Sequence, residues 1–169
     1  MISGVLDLTT SELVDELYGG IYSAGSDRLE AAGKAGIPQV VSAGALEMIN
    51  FGPIDTVPEQ YKGRKMVVHN EMNTLVRTTA EENRGTAKLI AKKLNQAKGK
   101  TIFLMPMQGF SMLDQKEGEF YDPVADNVFL DTLRENLNDN VELVCMDVNI
   151  NAPIFAEKAV SLLLENYGK

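Results

Sequence analysis

The chain has 169 residues, of which 44% are hydrophobic and 24% are charged. This length and balance are typical of one globular domain with a buried core, and they exclude a disordered chain. The formal net charge of −8 opposes binding to polyphosphate backbones, so we expect no nucleic-acid partner.

Membrane and disulfide signals are weak in this sequence. No uninterrupted apolar stretch reaches the roughly 18 residues that a membrane-spanning helix needs, and the chain does not start with a basic region followed by an apolar one. We therefore expect a cytoplasmic protein with no membrane partner. Cys145, the only cysteine, cannot form an intramolecular disulfide, and we expect it to be a small buried side chain.

Apolar runs of strand length alternate along the chain with stretches of helical period, and glycines and prolines separate them. Thr9 and Glu12 form a capping-box pattern that predicts the start of the first helix. The predicted elements in chain order are strand 2–8, helix 10–18, helix 28–34, strand 39–41, an irregular connection at 51–63, strand 65–68, helix 80–97, strand 101–105, a loop at 108–121, helix 123–137, strand 141–146 and helix 153–167.

Strands interleaved with helices imply right-handed crossovers and hence a mostly parallel sheet. The run 102–105 is apolar throughout, as expected for a strand that helices cover on both faces. The sequence thus predicts a single Rossmann-like α/β domain over 1–169. It would be a doubly wound, mostly parallel open sheet of about five strands with helices on both faces.

Polar residues follow every predicted strand, and ligands of open parallel sheets bind beyond the carboxyl ends of the strands. We expect Ser42, His69, Arg77 and Gln108 to reach one common edge because their strands lie side by side and point the same way. The predicted ligand-binding residues along that edge are Thr9, Thr10, Ser42, Gly44, Asn70, Arg77, Thr78, Thr79, Gln108, Gly109 and Ser111.

Arg77, Thr78 and Thr79 at a predicted helix start form the most specific candidate group. Unpaired N–H groups at a helix N-terminus and a nearby guanidinium suit an anion such as phosphate. The alternative is structural: a threonine caps the helix while Arg77 pairs with an acid such as Glu81.

Few other residues are candidates for catalysis or for metal binding. His69, the only histidine, is either a hydrogen-bonded structural residue or an acid–base catalyst. Asp7 and Asp147 are candidate ligands for Mg²⁺, which binds through one or two carboxylates together with phosphate oxygens.

Five separated motifs, which together span most of the chain, resemble one protein family. They are SAGSDRLEAA at 23–32, PQVVSAGALEMINFG at 38–52, HN at 69–70, LVRTTAEE at 75–82 and PMQGFS at 106–111. The chain resembles the second α/β subdomain of the ATP-binding region in an uncharacterised family that includes the plant tobamovirus-resistance protein.

This resemblance implies ATP and Mg²⁺ as ligands and association as a homo-oligomer. It also implies a first α/β subdomain, missing here or separately encoded, that completes the site. Where the family has Ser-Pro-Gly, this chain has Ser42-Ala43-Gly44, which keeps the glycine. The resemblance does not imply antiviral activity, which is peculiar to the plant protein.

The leading hypothesis is a nucleotide-binding subdomain in which Arg77 contacts phosphate oxygens and backbone amides near Gly44, Thr78 and Thr79 donate to them. One alternative is an enzyme acting on a small phosphorylated or carboxylate metabolite, with His69 as acid–base and Arg77 as anion clamp. The other is a non-catalytic assembly module that pairs with a first subdomain. An exposed apolar patch would favour this second alternative; its members would be Met48, Ile49 and Phe51.

Overall fold

The structure, a computed structural model, describes residues 2–166. The elements in chain order are β1 (Val5–Thr9), α1 (Glu12–Tyr18), α2 (Ala31–Ala35), β2 (Gln39–Gly44), β3 (Met48–Phe51), β4 (Met66–Asn70), β5 (Asn73–Arg77), α3 (Ala80–Leu94), β6 (Thr101–Pro106), α4 (Pro123–Asn136), β7 (Val141–Met146) and α5 (Pro153–Glu165). Two 3-10 turns, Ile54–Thr56 and Glu59–Tyr61, lie in the predicted irregular connection.

Four strands form a parallel sheet in the order β1-β2-β6-β7. Every residue of the two central strands, β2 and β6, is buried. These strands are therefore apolar almost throughout, as a sheet covered on both faces requires. The predicted α/β class with a mostly parallel sheet is confirmed.

Helices cover both faces of this sheet, because successive strand residues point to opposite sides. On one face, the strands pack against α1, α3 and α4, and on the other against α5. The first cluster includes Leu13, Val14, Val41, Ile90, Leu94, Phe103, Phe129 and Leu133. The second includes Val40, Ile102, Leu104, Phe155, Ala159 and Leu162.

The remaining strands form a separate antiparallel sheet in the order β3-β5-β4, inserted in the chain between β2 and α3. The prediction that residues 65–68 belong to the parallel sheet is therefore wrong, because β4 pairs antiparallel with β5. Strands β3 and β5 were not predicted. Four strands remain in the parallel sheet, and among the described residues their order runs one way without a reversal point.

Two helix starts differ from the prediction. Thr9 is the last residue of β1 and does not cap α1, whereas the Thr10 hydroxyl donates to the Ser42 carbonyl oxygen at 2.9 Å and links β1 to β2. Helix α2 begins at residue 31 and not at 28, because Leu29 has a φ of 76° that a right-handed helix cannot include.

Other local predictions fare unevenly. Helix α3 begins with the expected capping box, formed by Thr79 and Glu82, and it ends at Leu94, three residues before the predicted end. The predicted end of the last helix, Tyr167, lies outside the described residues. Cys145 is exposed and not buried as predicted, because β7 is an edge strand. No helix in the described range 2–166 is long and apolar enough to cross a bilayer.

Candidate functional site

A cavity of about 630 Å³ opens where the carboxyl ends of the parallel strands meet the antiparallel sheet. Its volume lies in the range of roughly 300–1,000 Å³ that is usual for small-ligand sites. Residues from the ends of β1 and β2, from the loops after β6 and β7, and from all three strands of the antiparallel sheet line it. All four parallel strands thus lead into one ligand-sized space.

Apolar and neutral polar side chains line this cavity. The apolar ones are Leu8, Ala45, Met48, Leu75, Phe110, Met112, Leu113 and Ile150. The polar ones are Thr9, Asn50, His69, Asn73, Ser111 and Asn151, and Gly44 completes the set. None of these lining residues is a lysine, arginine, aspartate or glutamate.

The chain enters the cavity wall through a tight turn after β2. A Cβ atom on Gly44 would lie 2.3 Å from the carbonyl oxygen of Leu8, so only glycine allows β1 and β2 to approach this closely. Ala45 follows with a φ of 57°, a left-handed conformation that is unfavourable for alanine. Strain of this kind clusters at functional sites. Ala45 itself lines the cavity.

Hydrogen bonds hold the loop after β6 against the cavity. The side-chain amide of Asn149 donates to the carbonyl oxygen of Ser111 at 2.9 Å and to that of Gln108 at 3.1 Å. The Asp114 carboxylate accepts from the backbone N–H of Phe110 at 2.9 Å. The loop therefore presents Phe110 and Ser111 to the cavity in a defined conformation.

Asp15 connects α1 to the antiparallel sheet through hydrogen bonds. This buried carboxylate in α1 accepts from the backbone N–H groups of Asn50 at 2.9 Å and of Tyr22 at 3.0 Å. Burial raises the pKa of Asp15, against the effect of those hydrogen bonds. The contact positions β3, and with it the side chain of Asn50, at the cavity.

Arg77 lies in β5 but does not line the cavity, and its side chain is only 4% exposed. Its Nε–H donates to the carbonyl oxygen of Phe120 at 2.7 Å, and its two terminal nitrogens donate to the Thr78 hydroxyl at 2.9 Å and to Asp126 at 2.7 Å. Longer contacts to the backbone carbonyls of Glu47 and Asp122 account for the remaining donors. The predicted contact between Arg77 and phosphate oxygens is therefore not compatible with this arrangement.

Two carboxyl groups contact this guanidinium, Asp126 at 2.7 Å and Asp114 at 3.6 Å, and the buried carboxyl group of Glu47 is near enough to be influenced by its charge. We call Arg77, Glu47, Asp114 and Asp126 the Arg77 cluster. Burial raises the pKa of Glu47 to about 7. Burial and the charge of Asp114 raise the pKa of Asp126 to about 8, and burial also raises that of Asp114. One positive charge cannot balance three negative ones in a buried site, so these carboxyl groups favour their neutral forms more than exposed ones do.

The structure brings together only part of the predicted site. Four of the predicted residues line the cavity: Thr9, Gly44, His69 and Ser111. The predicted ligand-binding residues that do not line it are Thr10, Ser42, Asn70, Arg77, Thr78, Thr79, Gln108 and Gly109.

The predicted common edge of Ser42, His69, Arg77 and Gln108 is wrong. His69 and Arg77 lie in the antiparallel sheet, and Ser42 is buried within β2. The rim itself is nonetheless where the cavity lies, because the parallel strands end there.

Sequence reasoning missed the contribution of the antiparallel sheet. Met48 and Asn50 in β3 and Asn73 and Leu75 in β5 line the cavity, although neither strand was predicted. A usable signal exists in β3, where Met48 and Asn50 alternate with residues that pack into the main core.

The two candidate magnesium ligands lie far apart. Asp7 in β1 binds Arg28 through both carboxylate oxygens, and Asp147, which follows β7, accepts from the Gln108 amide at 2.6 Å. Strands β1 and β7 are opposite edges of the sheet, separated by three spacings of about 4.8 Å, so one ion cannot contact both. Within residues 2–166 no group of three acidic, histidine or cysteine side chains could hold a metal ion. The described donors do not fit Mg²⁺.

Fold and cavity together define an α/β domain with a ligand-sized space at the carboxyl ends of its parallel strands. A family model described as the C-terminal domain of the uncharacterised protein family UPF0261 matches residues 1–167. The chain belongs to this family.

Similar proteins occur in bacteria and in a plant. A UPF0261 protein of Clostridium tetani is 50% identical over 92% of this chain, and one of Rhizobium meliloti is 42% identical over 95%. The ToMV resistance protein Tm-1(GCR237) of Solanum lycopersicum is 41% identical over 97%. The chain spans 39% and 41% of these two bacterial relatives and 22% of the tomato protein.

The Arg77 cluster predicts a stability defect on Arg77→Met. Loss of the guanidinium leaves the Asp114 and Asp126 carboxyl groups without their counter-charge, so we expect the free energy of unfolding, measured by urea denaturation at pH 7, to fall by about 3–5 kcal/mol. The control is Arg84→Met, because Arg84 is 41% exposed and pairs with Glu81 on the surface of α3. That change should cost less than about 1 kcal/mol. Unchanged stability of Arg77→Met would contradict a structural role.

The raised pKa of Glu47 predicts that stability falls as the pH rises. Glu47 ionises near 4.5 when unfolded and near 7 when folded, so above pH 4.5 the folded state binds a proton that the unfolded state has lost. Between about pH 5 and 8 the free energy of unfolding should therefore decrease, with up to about 3 kcal/mol due to Glu47.

Glu47→Gln should remove this part of the pH dependence and leave a shallower slope from Asp126 and Asp114. Glu59→Gln is the control, since Glu59 is exposed on the surface and pairs with Lys62. Urea denaturation at several pH values measures all three proteins. Identical slopes for the wild type and Glu47→Gln would rule out the assignment.

Proposed function

We propose that this chain is a nucleotide-binding domain and that the cavity at the carboxyl ends of β1 and β2 binds ATP. One observation carries the proposal: the segments that follow all four parallel strands converge on a single cavity of about 630 Å³. Open parallel sheets bind their ligands at this end of the strands. The resemblance of the motifs at 38–52 and 106–111 to an ATP-binding region supports the same ligand.

The lining suits part of a nucleotide better than the whole. Asparagine, serine and threonine side chains offer donors and acceptors among apolar groups, a combination usual in small-molecule sites. The lining residues include no lysine or arginine that could bind the triphosphate and no carboxylate that could bind Mg²⁺. Because the chain spans only 39% of the Clostridium tetani relative, we propose that a further subdomain or partner supplies those contacts.

One observation favours a second candidate, an enzyme acting on a small metabolite. His69 is the only titratable side chain that lines the cavity, where it could act as acid or base. The anion clamp that this hypothesis gave to Arg77 is absent, because that guanidinium is buried in the Arg77 cluster. Turnover in a screen of uncharged or carboxylate metabolites would distinguish an enzyme from a binding domain.

The exposed apolar patch that would favour an assembly module is not formed by the residues expected to form it. Met48, Ile49 and Phe51 are 7%, 0% and 3% exposed, so they form no apolar patch. Residues 48 and 50 instead face the cavity, and 49 and 51 belong to the main core. Association as a homo-oligomer, pairing with a first subdomain and a cytoplasmic location stay predictions.

The proposal predicts that a bulky side chain in the cavity blocks ATP. His69 is exposed on β4 and lines the cavity, so His69→Trp should fill part of the space without disturbing the core. Isothermal titration with ATP and Mg²⁺ should show binding by the wild type and at least about a tenfold rise in Kd for His69→Trp.

Val68→Trp is the matched control. Val68 precedes His69 in the same strand, is 57% exposed and does not line the cavity, so this change should leave the Kd within about twofold. Absence of ATP binding by the wild type, alone or with a first subdomain, would remove the proposal. Equal effects of the two variants would move the site elsewhere.

A further inference from the structure

The cavity lining is unusual for a polyphosphate site because it is almost free of charge. His69 is its only titratable side chain, and no lysine or arginine reaches it. Proteins bind phosphate groups with guanidinium or ammonium groups and with free amides at helix N-termini. Two helices start close to a lining residue. Helix α1 is only seven residues long and carries Glu12 and Asp15 in its first turn, which repel an anion. Helix α5 begins with Pro153, which has no N–H, and the N–H of its Phe155 already donates to the Ala152 carbonyl oxygen at 2.8 Å.

Two arginines that contact the cavity wall or its immediate neighbours, Arg28 and Arg77, are already paired with acids of the protein. Arg28 donates to both oxygens of Asp7, contacts Glu12 at 3.3 Å and donates to the backbone carbonyl oxygen of Thr9 at 3.2 Å. Arg77 pairs with Asp126 at 2.7 Å and with Asp114 at 3.6 Å. Each of these guanidinium groups is thus already paired with carboxyl groups of the protein, so neither is free to attract a further anion toward the cavity.

The volume and lining of the cavity suit an uncharged ring. Met48 and Met112 line it, and methionine packs adaptably against aromatic surfaces. Leu75 and Phe110 add apolar surface, while the amides of Asn50, Asn73 and Asn151 can both donate to and accept from the edge of a heterocycle.

We propose that the cavity binds the uncharged heterocyclic end of its ligand, a nucleoside, and that phosphate groups and Mg²⁺ contribute little to the affinity of this chain. The inference rests on the proposed function, since it names the part of the nucleotide that this domain recognises. A nucleoside without phosphate groups is therefore expected to bind this chain. The subdomain or partner that completes the site would bind the phosphate groups.

Calorimetric titrations of the 169-residue chain test this division. The ligands are ATP with Mg²⁺, ATP with EDTA, adenosine and inorganic triphosphate, each at about 0.05 M and 0.5 M NaCl, a range over which electrostatic binding weakens strongly. We expect the Kd values of adenosine and both forms of ATP to agree within about threefold at both salt concentrations, and triphosphate not to bind.

Variants then show that the nucleoside occupies the cavity. His69→Trp should raise the Kd of adenosine by the same factor as that of ATP, whereas Val68→Trp should leave both unchanged. Asn73→Ala, which removes the amide at the cavity wall without filling the cavity, should weaken adenosine binding by about tenfold. Asn138→Ala is its control, because Asn138 is exposed in the loop that precedes β7, at the other end of the sheet.

The outcomes separate the inference from the proposed function. ATP binding that His69→Trp blocks, combined with no binding of adenosine or with displacement by triphosphate, overturns the inference and leaves the proposed function standing. Failure of ATP and adenosine to bind, with or without a first subdomain, overturns both. Binding of adenosine that His69→Trp and Val68→Trp affect equally places the nucleoside outside the cavity and also overturns the inference.

Discussion

The cavity depends on the hydrogen bonds and ion pairs that the buried guanidinium of Arg77 forms. This guanidinium joins the inserted antiparallel sheet to the carbonyl oxygen of Phe120 in the long loop after β6 and to Asp126 in α4. The backbone carbonyl oxygen of Glu47 and the carboxylate of Asp114, which lie next to segments of the cavity wall, contact the same group. An ion cluster of this kind is weak support for stability when intact but costly to break. It therefore fixes where the sheet and the loop lie relative to each other.

This use of Arg77 explains why the cavity is neutral. The arginine that could bind a phosphate instead joins the walls of the cavity, and the acids around it do not line the cavity. What remains at the carboxyl ends of the strands is a space of apolar and amide character. Such a space can recognise a heterocycle through its edges and faces but gives little energy to a charged group. A second unit that supplies positive charge would complete a nucleotide site.

The fold class could be predicted from the sequence, because two local patterns correspond to the structure. The apolar run at 102–105 is a fully buried strand, and the helix after Thr79 begins with a capping box. The sequence was insufficient for the antiparallel sheet. Strand β3 is four residues long and β5 follows a two-residue turn, so neither gives a long periodic signal. The role of Arg77 could not be predicted for a different reason: it looks like an anion ligand until Asp114 and Asp126, which are distant in sequence, are placed beside it. Charge pairing between remote segments has no local pattern.

The central claim is that the neutral cavity at the carboxyl ends of the parallel strands is the ligand site, and methionine methyl groups are natural probes of it. Met48 and Met112 line the cavity, whereas Met105 is buried in the main core and Met146 packs near α5. With ¹³C-methyl methionine, addition of adenosine followed by NMR should shift the resonances of Met48 and Met112 and leave those of Met105 and Met146 in place. Shifts confined to Met105 and Met146, or no shift at millimolar adenosine, would contradict the account.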